Sequence, residues 1–103
     1  MLAERMNHDW IARDLAVLWH PCTQMHDHER AMPLIPVRSA EGAWITDMDG
    51  KRYLDAVSSW WTCLFGHRDP RLVAALKRQL DTLDHVLLAG FGHAPAIELA
   101  EAL

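Results

Sequence analysis

Residues 47–61 of this 103-residue chain read DMDGKRYLDAVSSWW, and this stretch decides the fold class. Its Asp49-Gly50 pair is a strong signal for a two-residue turn, because both central positions of such a turn need positive φ. A turn there predicts a β-hairpin that begins near Ala43. Opposite charges and matched apolar side chains across the ladder favour one register. That register gives three cross-strand pairs: Asp47 with Arg52, Thr46 with Tyr53, and Ile45 with Leu54.

Two adjacent tryptophans, Trp60 and Trp61, close the stretch. Consecutive side chains of a regular strand point to opposite faces, so both rings cannot enter one core from a strand. One ring is expected to face a second surface: a partner chain, another domain or a ligand. Burial on opposite sides of one packed element is the simpler alternative. The preceding Ser58 and Ser59 are interpreted as loop residues or a helix cap.

Helices flank the hairpin in the sequence pattern. A short helix capped by Asn7 or Asp9 is expected to run through Leu18. Asp69-Pro70 opens the clearest helix, which carries an apolar stripe, and a last helix starts near Pro95. The last apolar stripe reaches Leu103 without a stop signal, so we expect the chain to be a piece of a longer protein. Together these elements predict an α/β fold.

Composition narrows the class of protein. A net charge of −4 without a lysine- or arginine-rich run argues against nucleic acid and anionic membranes as main partners. The longest apolar candidate, residues 86–89, is far too short to span a membrane. The N-terminus does not resemble a signal or transit peptide. Cys22 and Cys63 are isolated thiols, which favours a reduced, cytoplasmic compartment.

Local spacing alone does not identify a reaction. The histidines around His20 and in residues 26–28 lack metal-ligand spacing, so a polar surface loop is the favoured interpretation and no metal site is predicted. Cys63 has a histidine, His67, four positions away, but a catalytic triad is defined in space. Gly90 and Gly92 without a third glycine predict a hinge or turn rather than a phosphate loop.

Several motifs occur in one order along the chain: Trp-His-Pro-Cys-Thr at 19–23, Asp-Gly-Lys-Arg-Tyr-Leu-Asp at 49–55, Ser-Ser-Trp-Trp at 58–61, Gly-His-Arg-Asp-Pro at 66–70 and Pro-Ala-Ile-Glu-Leu-Ala at 95–100. This order resembles the N-terminal part of the class III pyridoxal-phosphate aminotransferases. The two tryptophan motifs are similar to the branch that transfers an amino group from S-adenosylmethionine to 8-amino-7-oxononanoate, giving 7,8-diaminononanoate in biotin biosynthesis. Another class III ω-aminotransferase, or a truncated chain that acts only by binding, remains the alternative.

The resemblance implies two substrate-binding positions. Trp60 aligns with a tryptophan that contacts substrate, and its flat apolar ring suits a long aliphatic chain. Trp61 is expected to pack inward or against a dimer partner. Cys22 lies where many members carry a tyrosine that stacks on the adenine of the amino donor. Cysteine cannot stack, so the position carries over without that role, and lysine stays open as an alternative donor.

The resemblance also implies a homodimeric fold-type I enzyme of several hundred residues that uses pyridoxal 5′-phosphate. Residues 1–57 would form the N-terminal part of its small domain and residues 58–103 the start of its large cofactor-binding domain. Neither Lys51 nor Lys77 suits a Schiff-base lysine, which needs a desolvated site. No catalytic or cofactor-binding residue is therefore predicted here, the cofactor would be bound mainly by residues beyond this segment, and the segment alone is expected to be inactive.

Overall fold

The computed structural model describes residues 3–103, with side chains from Met6 onward. Its elements, in chain order, are α1 (Ala3–Val17), a 3-10 turn (Met25–Glu29), β1 (Val37–Glu41), β2 (Trp44–Asp47), β3 (Arg52–Leu54), the four-residue turn α2 (Ser58–Trp61), α3 (Pro70–Leu80) and α4 (Ala94–Ala102). The chain divides into two compact units, Met1–Asp69 and Pro70–Leu103. The helices and the antiparallel sheet confirm the predicted α/β class.

Helix α1 begins earlier than the sequence predicted. It starts at Ala3, so Asn7 and Asp9 lie inside the helix rather than at its cap. Asn7 serves a different purpose, because its side-chain amide donates to Asp47 Oδ2 at 3.0 Å and its backbone N–H to Asp49 Oδ1 at 3.3 Å. These bonds attach the helix to the hairpin turn.

The sheet has three antiparallel strands in the order β1-β2-β3. The sequence pattern predicted only the β2–β3 hairpin. Strand β1 has the sequence VRSAE, which lacks the apolar alternation that would predict a strand. It is a strand because its backbone pairs with that of β2. Its last residue, Glu41, pairs with Trp44 across a two-residue connection that contains Gly42, whose φ is 56°.

The predicted register of the β2–β3 hairpin is wrong by one residue. The observed pairs are Trp44 with Leu54, Ile45 with Tyr53, and Thr46 with Arg52. The loop has three residues, 48–50, because the Asp47 N–H donates to the Lys51 carbonyl at 3.0 Å. Only Gly50 has positive φ, 90°, and this geometry is typical of a type I turn followed by a glycine bulge. The Asp47 carboxylate selects it, since Oδ1 accepts the N–H groups of Asp49 at 3.0 Å and Lys51 at 2.8 Å.

The segment interpreted as a polar surface loop forms the 3-10 turn Met25–Glu29, and one of its histidines is buried. His28 is 6% exposed. Its Nδ1 lies 2.9 Å from the Met32 carbonyl oxygen and its Nε2 lies 2.8 Å from Thr23 Oγ1. Because a carbonyl can only accept, Nδ1 carries the proton of that bond. The His20 ring packs edge-on against it, with centroids 5.3 Å apart.

The second unit contains the two predicted C-terminal helices. Helix α3 begins at Pro70, as the Asp69-Pro70 signal predicts, and α4 has Pro95 in its first turn. The Gln79 side chain donates to the Leu83 carbonyl at 2.8 Å and closes the end of α3. The apolar stripe of α3 is exposed, with Leu76 at 65%.

Among the residues that the structure describes, no apolar residue is buried as a whole, and the only residues buried as a whole are His28 and Asp47. None of the helices found from residue 3 onward is long and apolar enough to cross a membrane.

Candidate functional site

The turn α2 is left-handed. Its four residues Ser58, Ser59, Trp60 and Trp61 have φ of 49°, 47°, 59° and 65°. Left-handed backbone costs about 1–2 kcal/mol for each residue with a Cβ, so four in succession need strong support from their surroundings. The sequence predicted a loop or a helix cap for Ser58 and Ser59. It contains no glycine at this turn, and glycine is the residue that most readily adopts left-handed backbone.

The Asp55 side chain supplies two of the hydrogen bonds that support the turn. Its Oδ1 accepts the Ser59 backbone N–H at 3.0 Å, and its Oδ2 accepts the Ser59 hydroxyl at 2.8 Å. The Trp61 N–H donates to the Val57 carbonyl at 3.0 Å, and the Thr62 hydroxyl donates to the Ser59 carbonyl at 2.7 Å. The backbone and hydroxyl of Ser59, followed by His67, lower the pKa of Asp55 from 3.8 to about 2, although burial raises it. Asp55 is therefore an ionised acceptor at neutral pH.

His67 is the third partner of Asp55. Its Nε2 lies 2.8 Å from Asp55 Oδ2, and the two side chains are 15% and 8% exposed. The backbone fixes the position of His67, because its N–H and carbonyl pair with those of Gly42 at 2.8 and 3.0 Å. Gly66 allows this approach: it has φ of +83°, and a Cβ on it would lie 3.1 Å from the Gly42 backbone. The β1–β2 turn and the left-handed turn are thus joined through His67.

Cys63 lies on the other side of the same imidazole. Its Sγ is 3.4 Å from His67 Nδ1. A cavity of about 140 Å³ opens beside this pair and is lined by Cys63, His67, Asp55, Ser58, Leu64 and the Gly42–Ala43 and Gly66 backbone. The sequence showed the spacing of Cys63 and His67 but gave no sign of Asp55, which lies twelve positions from His67. No metal-binding group of three or more His, Cys, Asp or Glu side chains occurs among the residues described.

The left-handed turn exposes both tryptophans. The side chain of Trp60 is 65% exposed and that of Trp61 78%. This chain covers neither indole. Both rings are therefore candidates for the expected contact with a second surface. A pair of large exposed rings on a rigid turn is a favourable wall for an apolar ligand.

Cys22 lies elsewhere in the first unit, in the loop between α1 and the 3-10 turn. It is exposed and has φ of 60°. Thr23 holds this loop through a hydroxyl bond to the His20 carbonyl at 3.2 Å. Among the described side chains, no hydrogen bond, ion pair or ring contact links Cys22 to Trp60.

A larger groove of about 590 Å³, which no sequence pattern predicted, lies along α1. Its lining includes Trp10, Arg13, Val17, Pro36 and Met48. The Arg13 guanidinium stacks over the Trp10 ring at 4.3 Å. Neither Trp60 nor Cys22 lines this groove, so it is separate from both predicted substrate positions.

Comparison with known proteins gives a consistent result. Residues 25–103 match the Aminotransferase class-III family. The chain is 47% identical over 92 residues to the adenosylmethionine-8-amino-7-oxononanoate aminotransferase of Helicobacter pylori, covering 89% of this chain and 21% of that protein. It is 49% identical over 90 residues to the protein of the same name from Nitratidesulfovibrio vulgaris, covering 87% of this chain and 16% of that protein.

Solved structures agree with the sequence relatives. The crystal structure of adenosylmethionine-8-amino-7-oxononanoate aminotransferase from Methanocaldococcus jannaschii superposes with a TM-score of 0.85 at 37% identity, covering 92% of this chain and 22% of that one. An (S)-enantioselective ω-transaminase from Thermomicrobium roseum follows with a TM-score of 0.79 at 33% identity, covering 90% and 21%. The chain spans about a fifth of the length of the curated relatives it matches.

Proposed function

We propose, because this chain belongs to the aminotransferase class III family, that it forms the N-terminal part of an enzyme of biotin biosynthesis. The enzyme would transfer an amino group from S-adenosylmethionine to 8-amino-7-oxononanoate and release 7,8-diaminononanoate. The names of relatives at 47% and 49% identity support this assignment. In the structure, the observation that carries it is the left-handed turn that holds Trp60 outward on a fixed backbone.

Trp60 is proposed as the wall against which the aliphatic chain of the oxononanoate packs. Its ring is exposed, and Asp55 and Ser59 fix the turn that carries it. Apolar contact with a methylene chain excludes water and stabilises the complex by about 0.8 kcal/mol for each buried CH₂ group. Trp61, the neighbouring exposed ring, is proposed to pack against other parts of the enzyme or against the second subunit of a homodimer.

Cys22 is proposed as a second substrate-side position. Its thiol is exposed on a loop that Thr23 and His28 hold in place. A thiol presents much less surface than an aromatic ring and cannot stack on adenine. We favour S-adenosylmethionine as the amino donor, and lysine is the donor to test against it.

Pyridoxal 5′-phosphate is the proposed cofactor, and when bound it supplies the electron sink for amino transfer. The residues of this chain do not provide its covalent attachment. Lys51 is exposed, with its Nζ 4.8 Å from the centroid of the Tyr53 ring, and Lys77 is exposed on α3. A lysine that bonds the cofactor needs a desolvated amine, so we propose that residues beyond this segment bind it.

The domain organisation of the enzyme and its location in the cell are also proposed. We propose that residues 1–57 contribute to the small domain of the enzyme and residues 58–103 to the start of its large domain. We also propose a homodimer, as the resemblance to the family implies, and a cytoplasmic location, which the two free cysteines favour.

A second candidate function is that of another class III ω-aminotransferase. The ω-transaminase of Thermomicrobium roseum superposes with a TM-score of 0.79, which favours this alternative at the level of the fold. The hairpin and the Gly-His turn are compatible with both functions. The discriminating feature is the acceptor that contacts Trp60.

Kinetics with the full-length enzyme test both candidates. We expect turnover with S-adenosylmethionine and 8-amino-7-oxononanoate, and we expect Trp60→Leu to raise KM for the acceptor by roughly ten- to a hundredfold, since an apolar pocket contact of this kind contributes that much. Trp61→Leu is the matched control from the same turn, and it should leave KM for the acceptor nearly unchanged. Preference for a simple keto acid as acceptor, with an ω-amino compound as donor, would favour the second candidate. Equal effects at both tryptophans would contradict the role of Trp60.

A further inference from the structure

The side chains of Asp55, His67 and Cys63 form a connected row. Asp55 Oδ2 lies 2.8 Å from His67 Nε2, and His67 Nδ1 lies 3.4 Å from Cys63 Sγ. The order is carboxylate, imidazole, thiol, which is the arrangement by which proteins orient a histidine and aim it at a nucleophile. The aminotransferase function proposed above uses neither Cys63 nor the Nδ1 atom of His67.

The carboxylate determines which nitrogen of His67 carries the proton. Asp55 is ionised at neutral pH and can only accept, so His67 donates to it from Nε2. In the neutral imidazole the Nδ1 atom then has a lone pair, and that atom faces Cys63. The thiol donates its hydrogen to this lone pair, and the imidazole is correctly placed to take the proton when sulfur attacks.

Space for a reactant exists at the sulfur. The cavity of about 140 Å³ is lined by all three side chains and by the backbone of the Gly42 turn. A cavity of about 150 Å³ accommodates a molecule of the size of benzene. A reactant group of about four to six non-hydrogen atoms therefore fits, whereas a peptide-sized one does not.

We propose that Cys63 is a nucleophilic thiol that forms mixed disulfides with small aliphatic disulfides, with His67 as its proton acceptor and Asp55 as the group that positions the imidazole. The proposal does not depend on the cofactor or on the amino transfer, because the three side chains and the cavity lie within the first unit of the chain.

The reaction is thiol–disulfide exchange. As Cys63 Sγ attacks one sulfur of R–S–S–R, its S–H bond breaks and the proton passes to His67 Nδ1. A new bond between Sγ and the attacked sulfur forms, the old S–S bond breaks, and R–S⁻ leaves and takes up a proton from His67. Cys63 is oxidised to the mixed disulfide, and the small disulfide is reduced to one thiol and the half that stays on the protein.

The test compares Cys63 with Cys22 in the folded, full-length protein. Bis(2-hydroxyethyl) disulfide is the probe, and peptide mass spectrometry reports the rate at each cysteine separately. Cys22 is the more exposed thiol, and no hydrogen bond joins it to a histidine among the described residues, so exposure alone predicts faster reaction at Cys22. We expect the opposite at pH 7: Cys63 reacts about ten times as fast as Cys22, since general-base assistance contributes at least this factor.

Two variants and two conditions complete the test. His67→Gln should remove the advantage of Cys63 and leave the rate at Cys22 unchanged, whereas the matched control His26→Gln, at an exposed histidine, should change neither rate. The ratio of the two rates should approach one in guanidinium and should narrow above about pH 9, where ordinary thiols ionise without assistance. Should His67→Gln fail to fold, the pH dependence of the unmodified protein decides.

Equal or slower reaction at Cys63 than at Cys22 in the folded protein would overturn the proposal. So would a ratio that is independent of pH, or one that His67→Gln leaves unchanged in a folded variant. Glutathione disulfide serves as the size control, and it should react with Cys63 more slowly than the small probe because the cavity cannot admit it.

Discussion

At the scale of single residues, two carboxylates that look alike in the sequence do different work. In the sequence, Asp47 and Asp55 are both carboxylates in or beside the hairpin, and nothing there distinguishes them from solvated or turn residues. Asp47 is instead 1% exposed, and its Oδ2 accepts bonds from Asn7 and from the Tyr53 hydroxyl, each at 3.0 Å. Burial raises the pKa of Asp47, but these bonds and those from the Lys51 and Asp49 backbone outweigh it and leave the pKa below 3.8.

The lowered pKa of Asp55 predicts how the stability of the protein changes with pH. Its pKa is about 2 in the folded chain and 3.8 without these contacts, so the folded state favours the ionised form. The stability that Asp55 contributes is fully present above about pH 5, begins to fall near pH 4 and is lost as the pH falls through about 2. The difference in unfolding free energy between the full-length protein and its Asp55→Asn variant, measured by thermal unfolding at several pH values, should be constant above about pH 5 and shrink between about pH 4 and 2. A difference that does not change over this range would show that Asp55 is not held in its ionised form.

At the scale of elements, short-range geometry decided what the hydrophobic pattern could not. The hairpin slipped by one residue from its predicted register because the Asp47 side chain bonds to the N–H groups of Asp49 and Lys51. A slip of one residue places every side chain of one strand on the other face of the sheet relative to its partner strand. Ile45, Tyr53 and Asp47 therefore share a face, which is why the Tyr53 hydroxyl reaches Asp47.

The left-handed backbone of α2 predicts how substitutions at Ser58 change the stability of the protein. Ser58 has φ of 49°, a region in which a Cβ is strained and glycine is not. Ser58→Gly should therefore be more stable than Ser58→Ala by about 1 kcal/mol in thermal unfolding of the full-length protein. The matched control is Ser39 in β1, where the order should reverse, because glycine weakens an extended strand. The same order at both positions would argue against a left-handed backbone at Ser58.

At the scale of the whole molecule, the described residues form secondary structure without a buried apolar core. Large side chains remain exposed in both units, among them Leu64 at 77%, Phe65 at 61% and Leu99 at 60%. Apolar burial is the main stabilising term in folding, so polar bonds such as those of Asp47 and Asp55 cannot stabilise this chain alone. The chain spans about a fifth of the length of its curated relatives.

The 103-residue chain expressed alone should consequently bind a hydrophobic dye and associate in size-exclusion chromatography, because many of its large apolar side chains are exposed. With pyridoxal phosphate added it should show no amino transfer, since Lys51 and Lys77 are both exposed. The full-length enzyme, measured in parallel, should be dye-negative and active. A monomeric, dye-negative chain with a cooperative unfolding transition would contradict this prediction, and so would turnover by the chain alone.

The sequence by itself determined the α/β class, the β2–β3 hairpin, the helix that opens at Asp69-Pro70 and the motifs that indicate the family. These features depend on local signals: turn residues, helix caps, apolar periodicity and the order of short motifs. It also identified Trp60 and Cys22 as substrate-site positions, which stay predictions.

Only the tertiary structure decided the register of the hairpin, the presence of β1, the left-handed turn and the row formed by Asp55, His67 and Cys63. The pairing of β1 and the row depend on partners farther away in the sequence, as Asp55 and His67 are twelve positions apart. The register and the left-handed turn depend on bonds from the Asp47 and Asp55 side chains to backbone groups two to four positions away. Local propensity cannot report such bonds, because their energy exists only after the chain has brought the partners together. For the same reason a buried carboxylate such as Asp47 cannot be distinguished in the sequence from a solvated one.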